Sequence, residues 1–136
     1  MAHLVDTNVF IAIERRGDTP AALTSLGRDE PLAIASVTAS ELLFGVHRAN
    51  TSERRARRET FVEAILAAFP VLPLDLLAAR THARVWAYLA TTGQLIGERD
   101  LMIAAIALTH GYDVLTDNVG EFAPVPGLNV RRPTWP

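Results

Sequence analysis

Short apolar runs alternate along this chain with longer stretches in which apolar residues recur every three or four positions. The runs predict brief buried strands, and they are Leu4-Val5, Leu32-Ala33-Ile34, Val71-Leu72, Val114-Leu115 and Asn129-Val130. The periodic stretches predict helices over residues 7–15, 38–49, 53–69, 75–91 and 98–110. Strands that alternate with helices predict an α/β fold of three layers, in which helices cover both faces of a short, mostly parallel sheet.

The length of the chain limits how many cores it can build. A chain of 136 residues is long enough for one hydrophobic core but too short for two, so we expect a single domain over residues 1–136. Its last stretch, residues 124–136, holds four prolines and one glycine, which predicts an extended tail or an edge strand.

Composition excludes several classes of protein. Hydrophobic residues make up 49% and charged residues 21% of the chain, a balance typical of soluble globular domains. No apolar run approaches the roughly 20 residues that cross a bilayer, and no basic segment followed by a long apolar one opens the sequence. We therefore expect neither membrane insertion nor a secretory signal, and we expect a cytoplasmic protein.

Two residue types are missing altogether. The absence of cysteine excludes disulfides, thiolate nucleophiles and zinc–thiolate sites, so a bound metal would need oxygen or imidazole ligands. All 13 of the Lys and Arg residues are arginines, which excludes a P-loop lysine and a Schiff-base lysine. These absences narrow the enzyme classes considerably.

Acidic side chains follow the predicted strands. The ligand crevice of an open α/β sheet lies beyond the carboxyl ends of its strands. Asp6 follows the first strand, Asp117 follows the fourth, and Glu41 lies in the helix after the second. Asp100, in the first turn of the helix over residues 98–110, can point from the packed side of that helix into the same crevice. These four carboxylates are predicted to converge at one edge of the sheet.

A cluster of carboxylates is unfavourable unless a cation compensates its charge, because like charges repel and burial penalises the ionised form. Oxygen ligands suit hard divalent ions such as Mg²⁺ or Mn²⁺, which also contact substrate phosphates. Such a site can activate water and stabilise the charge that develops on a phosphoryl group. The pattern therefore indicates hydrolysis of a phosphodiester.

Each acid, taken alone, also has a purely structural interpretation. Asp6 can cap the helix that starts at Thr7. Glu41 stands three residues after Thr38, the spacing of a capping box. Asp100 can simply interact with the helix dipole. The site hypothesis therefore depends on the convergence of the four residues.

Four motifs carry a family resemblance. They are Leu4-Val5-Asp6-Thr7-Asn8, Ser36-Val37-Thr38-Ala39-Ser40-Glu41-Leu42, Gly97-Glu98-Arg99-Asp100-Leu101-Met102-Ile103-Ala104-Ala105 and Leu115-Thr116-Asp117-Asn118-Val119-Gly120-Glu121-Phe122. Together they resemble the PIN domain, and in length and motif order the chain is similar to VapC toxins. The likeness extends from residue 4 to about residue 131, and its strength lies in the order of four individually weak motifs.

The resemblance implies a PIN-like fold and a Mg²⁺- or Mn²⁺-dependent endoribonuclease whose metal is held by Asp6, Glu41 and Asp100. It further implies the toxin component of a type II toxin–antitoxin system, which cuts tRNA or ribosomal RNA. A cognate VapB-type antitoxin would bind and inhibit it. Apolar residues beyond the needs of a small core also favour a homodimer or an antitoxin contact.

The fourth acidic position of the family is ambiguous in this sequence. Asn118 stands where many PIN domains carry an acid, and Asp117 and Glu121 flank it. We rank Asp117 slightly above Glu121 for the acidic role. The resemblance also implies that Thr116 and Asn8 support the site through hydrogen bonds.

The helix predicted over residues 53–69 carries four arginines within five consecutive positions. They are Arg54, Arg55, Arg57 and Arg58. Arginine is suited to bidentate contact with RNA phosphates, although the net charge of −2 argues against general nucleic-acid binding. The alternative is a solvated helix face whose charges are partly offset by neighbouring glutamates.

Other functions remain open from the sequence alone. Because Asn118 replaces an acid, the chain could be a PIN-like module that binds RNA or antitoxin with weak or no catalysis. A DNA nuclease or a phosphatase-like hydrolase of the same architecture is a further alternative.

Overall fold

The computed structural model describes residues 2–26 and 29–135, so the predicted ends of the domain at residues 1 and 136 lie outside the described residues. The elements in chain order are β1 (His3–Val5), α1 (Thr7–Arg15), α2 (Ala22–Leu26), β2 (Leu32–Ala35), α3 (Ser36–His47), α4 (Ser52–Ala68), β3 (Val71–Leu72), α5 (Leu76–Thr91), α6 (Glu98–His110), β4 (Asp113–Leu115), α7 (Val119–Phe122) and β5 (Val130–Arg131).

The strands form one parallel sheet in the order β3-β2-β1-β4-β5. In the central pair, Leu4 lies opposite Val114 and Val5 lies opposite Leu115. Because all pairings are parallel, the carboxyl ends of the strands share one edge of the sheet. That edge is where α/β proteins place their sites.

Side chains that alternate along the strands build two separate cores. Leu4 and Val114 join the core beneath α5, α6 and α7, whereas Val5 and Leu115 join the core beneath α1, α2, α3 and α4. This division follows from the period of two in a strand, which sends neighbouring side chains to opposite faces. The predicted three-layer α/β/α architecture is confirmed.

The chain brings the start of α6 to the same edge as the strand ends. Helix α6 ends at Gly111, whose left-handed φ of 70° suits glycine at this position, and β4 begins two residues later. The helix therefore runs opposite to the strands, and its first turn, which carries Asp100, lies at their carboxyl ends. In the part of the chain that the structure describes, no helix is both long enough and apolar enough to cross a bilayer.

Candidate active site

Asp6 sits at the centre of the carboxyl edge and is 6% exposed. Its Oδ1 accepts a hydrogen bond from the backbone N–H of Thr7 at 2.8 Å, so it does cap α1. Its Oδ2 accepts from Thr116 Oγ1 at 2.8 Å and from Asn8 Nδ2 at 3.2 Å. The capping role uses one oxygen, and the second oxygen belongs to a side-chain network that a helix cap does not require.

Thr116 and Asn8 tie the first strand end to the fourth. Asn8 Nδ2 donates to Thr116 Oγ1 at 3.0 Å, and the backbone N–H of Asn118 donates to the same hydroxyl at 3.0 Å. Thr116 is fully buried, and its hydroxyl is satisfied as donor and as acceptor. These contacts fix the position of the Asp6 carboxylate, the supporting role that the resemblance implied for Thr116 and Asn8.

Glu41 reaches the site from α3. Its Oε1 accepts from Thr7 Oγ1 at 3.0 Å, so Thr7, which the sequence analysis did not single out, joins the Asp6 turn to the Glu41 helix. The capping-box interpretation of Glu41 is wrong. Helix α3 starts at Ser36 with Ala35 as its N-cap, so Thr38 lies inside the helix and caps nothing.

The electrostatics of Asp100 indicate that other acids lie within range of its charge. Burial is the largest cause that raises its pKa to about 6, from a usual value of 3.8. The other causes are the negative charges of Asp6, Glu121 and Glu41. Burial also raises the pKa of Asp6, and the hydrogen bonds from Thr116 and Thr7 oppose the rise. The acids that follow β1 and lie in α3 and α7 are therefore close enough to Asp100 for their negative charges to raise its pKa.

The two candidates for the fourth acidic position differ in placement. Glu121, at the start of the short α7, is among the charges that raise the pKa of Asp100. Asp117 instead turns its Oδ1 toward the indole N–H of Trp135, at 3.2 Å. Asn118 is exposed. This placement favours Glu121 over Asp117 as the fourth acid whose charge acts at the site, contrary to the ranking made from the sequence.

The donor set suits a hard divalent ion. Within residues 2–26 and 29–135, no three Asp, Glu or His side chains stand together as a preformed ligand set. The Asp6 and Glu41 oxygens are engaged by hydroxyl, amide and backbone donors, while Asp100 faces repulsion from three other carboxylates. A cation relieves that repulsion, and carboxylate oxygens are the ligands that Mg²⁺ and Mn²⁺ prefer.

The raised pKa of Asp100 predicts that this carboxyl contributes less to the stability of the metal-free protein as the pH rises. The unfolded chain releases this proton near pH 3.8, whereas the folded chain holds it to about pH 6. Between these values the folded state binds more protons, so this group's contribution to stability falls with rising pH. We expect Asp100→Asn to gain melting temperature relative to wild type between pH 4 and pH 7 in EDTA.

Glu98→Gln, a substitution at an exposed acid in the same helical turn, is the matched control for that series. A difference in melting temperature between Asp100→Asn and wild type that stays constant from pH 4 to pH 7 would contradict the prediction.

The arginines of α4 have different surroundings. Arg54 donates to Asn50 Oδ1 at 2.9 Å, and Arg55 donates to the carbonyl of Ala49 at 3.4 Å. Arg57 is exposed. Arg58 lies 3.5 Å from a carboxylate oxygen of Glu14 on α1 and donates to the carbonyl of Gly45 at 3.1 Å. The four side chains therefore differ in their surroundings. Arg57 is exposed, whereas Arg58 contacts residues of both α1 and α3.

A cleft of about 460 Å³ lies between α1, α3 and α4, and Glu41 is the one acid of the candidate site among the residues that line it. It is lined by both polar and apolar side chains, including Thr7, Glu41, Phe44, Arg48 and Arg58. The cleft places one arginine of the α4 cluster on the same cavity wall as a carboxylate of the site.

Comparison with known proteins supports the same interpretation. The family model described as the PIN domain matches residues 3–127. The chain is 35% identical to "Ribonuclease VapC1" of Rickettsia felis, over 96% of this chain and 95% of that protein. It is 31% identical to "tRNA(fMet)-specific endonuclease VapC" of Shigella flexneri, over 97% and 96% of the two chains.

A solved structure gives the same picture at the level of the fold. The chain is similar to VapBC-5 of Mycobacterium tuberculosis, described as a member of the VapBC family of toxin–antitoxin systems, with a TM-score of 0.75. The two share 35% sequence identity, and the match covers 98% of each chain.

Proposed function

The chain belongs to the PIN domain family, and we propose that it is an endoribonuclease that cleaves RNA with Mg²⁺ or Mn²⁺ held by Asp6, Glu41 and Asp100. The toxin of a toxin–antitoxin pair, acting in the cytoplasm, is the biological role that we propose for this activity. Two findings support the reaction class: the relative from Rickettsia felis is named a ribonuclease, and this chain matches the PIN domain.

One observation carries the proposal. The carboxylates of Asp6, Glu41 and Glu121 all raise the pKa of Asp100, although they come from distant stretches of the sequence. A protein that needed only helix caps would have no reason to bring four negative charges together, because their repulsion opposes folding. The cost of this repulsion is explained if the folded protein binds a cation and a phosphate substrate at the cluster.

The residues of the site have different roles according to their positions. Asp6, Glu41 and Asp100 would supply the oxygen ligands, and the divalent ion that they hold would lower the pKa of water and place positive charge near the phosphate. Thr116 and Asn8 hold the Asp6 carboxylate in one orientation, and Thr7 holds Glu41.

Glu121 is exposed and its charge acts on Asp100, so we assign to it the uptake of the proton that the attacking water would release. The phosphodiester bond then breaks at the leaving oxygen, which takes a proton from solvent.

A cognate antitoxin is the partner that we propose beside the RNA substrate. The similar structure from Mycobacterium tuberculosis belongs to a toxin–antitoxin system, and the likeness covers nearly the whole chain. The relative from Shigella flexneri is named as specific for tRNA(fMet), which supports tRNA as the first substrate to test. Ribosomal RNA remains the second.

We also propose that the protein forms a homodimer. Leu76 and Leu77, adjacent at the start of α5, are 69% and 64% exposed. Adjacent exposed apolar side chains are typical of surfaces that another protein covers.

The experiment that tests the function compares substrates and ions directly. Purified protein is incubated with tRNA, ribosomal RNA, single-stranded DNA and a small phosphomonoester, each with Mg²⁺, with Mn²⁺ and with excess EDTA. We expect cleavage of RNA alone, and only with a divalent ion. Binding of RNA without cleavage would favour the non-catalytic module, and equal cleavage of DNA would favour a less selective nuclease. Co-expression with a candidate antitoxin should suppress the cleavage.

The arginine cluster gives a separate prediction about RNA binding. If Arg57 and Arg58 contact phosphates, the affinity of the double variant Arg57→Gln/Arg58→Gln should depend less on salt. The slope of log affinity against log salt should become less negative by about 1.4, which is roughly 0.7 for each contact on single-stranded RNA. The control is Arg80→Gln/Arg84→Gln, which removes two exposed arginines of α5 on the other side of the sheet. Equal slopes for the two double variants would show that the α4 cluster is only a solvated helix face.

A further inference from the structure

The C-terminal segment returns to the active edge of the sheet after β5. Strand β5 pairs with β4, and the backbone N–H of Thr116 donates to the carbonyl of Arg131 at 2.9 Å. Beyond it, Pro133 is buried, and Trp135 is half-buried and packs against the core beneath α1 to α4. The segment from Arg132 to Trp135 is therefore an ordered part of the fold, although its proline-rich sequence predicts little more than an extended tail.

This segment holds Asp117 at two points. Arg132 Nη1 donates to the backbone carbonyl of Asp117 at 2.6 Å, and Trp135 Nε1 donates to Asp117 Oδ1 at 3.2 Å. The bond to a carboxylate is charge-assisted, which makes it stronger than a bond between neutral groups. Asp117 is fixed by donors that lie 15 and 18 residues further along the chain.

Trp135 is itself anchored to the end of α1. The guanidinium carbon of Arg16 lies 4.3 Å from the centroid of the indole ring, within the range of a cation–π interaction. Arg16 is the C-cap residue of α1, the helix whose first turn is capped by Asp6. The indole thus links the far end of α1 to the loop that follows β4.

The contacts continue from Asp117 to the catalytic carboxylate. The backbone N–H of Asp117 donates to Asn8 Oδ1 at 3.1 Å. Asn8 in turn directs its amide N–H groups to Asp6 Oδ2 at 3.2 Å and to Thr116 Oγ1 at 3.0 Å. Because the Asn8 amide is planar, an acceptor fixed on one side sets the direction of the donors on the other. A displacement of Asp117 therefore turns the group that orients Asp6.

We propose that the segment from Arg132 to Trp135 is a positioning element of the active site, which acts through Asp117 and Asn8 on the orientation of the Asp6 carboxylate. The proposal rests on the proposed ribonuclease function for its catalytic readout. It assigns Asp117 a positioning role in place of the acidic role considered from the sequence. The effect of Trp135 and Arg132 on Asp6 passes through the Asp117 loop.

The first test removes the hydrogen-bond donor of Trp135 and keeps an aromatic ring at that position. Trp135→Phe removes the indole N–H and leaves an aromatic face for Arg16. We expect kcat for RNA cleavage to fall about tenfold and the dissociation constant for Mn²⁺ to rise about tenfold, the lower end of effects seen for residues behind metal ligands. KM for RNA should stay the same. Trp86→Phe, the same change at an exposed position of α5, should leave these three quantities unchanged.

A second variant keeps the proposal testable if Trp135→Phe folds poorly. Arg132→Met removes a donor from an exposed side chain and should lower kcat and Mn²⁺ affinity about two- to tenfold, the value of one hydrogen bond. A purely structural role would lower the melting temperature and leave kcat and Mn²⁺ affinity unchanged below it. That outcome, in either folded variant, would overturn the proposal.

A spectroscopic measurement on the metal-free protein separates this proposal from the proposed function. In both variants the side-chain amide resonances of Asn8 should shift, whether or not the protein cleaves RNA. Unchanged Asn8 resonances would overturn the positioning role even in an active ribonuclease. Shifted resonances in the variants, together with a wild-type protein that neither binds Mn²⁺ nor cleaves RNA, would support the linkage and reject the ribonuclease function.

Discussion

Replacing Asp6 by Asn is expected to abolish RNA cleavage, with a loss of kcat of at least about 100-fold, and to leave the fold intact. The loss should exceed the roughly 10- to 100-fold effect of residues that only support a metal ligand, because Asp6 supplies a ligand itself. Asn keeps a side-chain oxygen that can cap α1 as well as Asp does. Its amide nitrogen replaces the oxygen that accepts from Thr116 and Asn8, so the free energy of unfolding should fall by about 1 to 3 kcal/mol, less than the roughly 5 to 15 kcal/mol that holds a typical domain folded.

The matched control is Asp18→Asn, a substitution at an exposed acid just beyond the same helix. Cleavage should be unchanged there, which rules out a general effect of removing one negative charge near α1. Thermal melts and circular dichroism report the fold of both variants. A wild-type rate of cleavage by folded Asp6→Asn would contradict the assigned role of Asp6.

Addition of Mg²⁺ or Mn²⁺ is expected to raise the melting temperature of the wild-type protein substantially. An ion that binds only the folded state at 100 times its dissociation constant stabilises it by about 2.7 kcal/mol, which corresponds to roughly 10 °C for a domain of this size. The physical reason is that the ion removes the repulsion that Asp100 experiences from Asp6, Glu41 and Glu121.

The same titration on Asp6→Asn and Asp100→Asn decides where the ion acts. Both variants should lose most of the rise in melting temperature, and NaCl at matched ionic strength should not reproduce it in the wild type. A rise of equal size in the wild type and in Asp100→Asn would show that the ion stabilises the protein at another place.

Much of the fold could be predicted from the sequence because the strands and long helices carry strong periodic patterns. The helices predicted over residues 7–15 and 98–110 have the bounds of α1 and α6. Helix α3 starts two residues earlier than predicted, at Ser36, because its N-cap Ala35 makes no side-chain hydrogen bond that would mark the start. The short helices α2 and α7 were missed, since four or five residues cannot display a helical period.

The edge at which the acids lie could be predicted from topology, because Asp6 follows β1, Asp100 lies in the first turn of α6, and Glu41 lies in the helix that follows β2. The relative roles of Asp117 and Glu121 could not. The direction of the Asp117 side chain depends on Trp135, which is 18 residues away, and no local pattern encodes such a contact. The lone tryptophan in a proline-rich tail was the one available signal that the tail is packed.

The most direct test of the ion's place is a crystal of the wild-type protein soaked with Mn²⁺ and measured for anomalous scattering. A single ion, or a close pair, should appear with oxygen atoms of Asp6, Glu41 and Asp100 at about 2 Å, the distance expected for carboxylate ligands of a small divalent ion. The protein in these crystals must be one that cleaves RNA. If its Mn²⁺ is bound elsewhere, or if the three carboxylates lie too far apart to share one ion, the assignment of the site is contradicted.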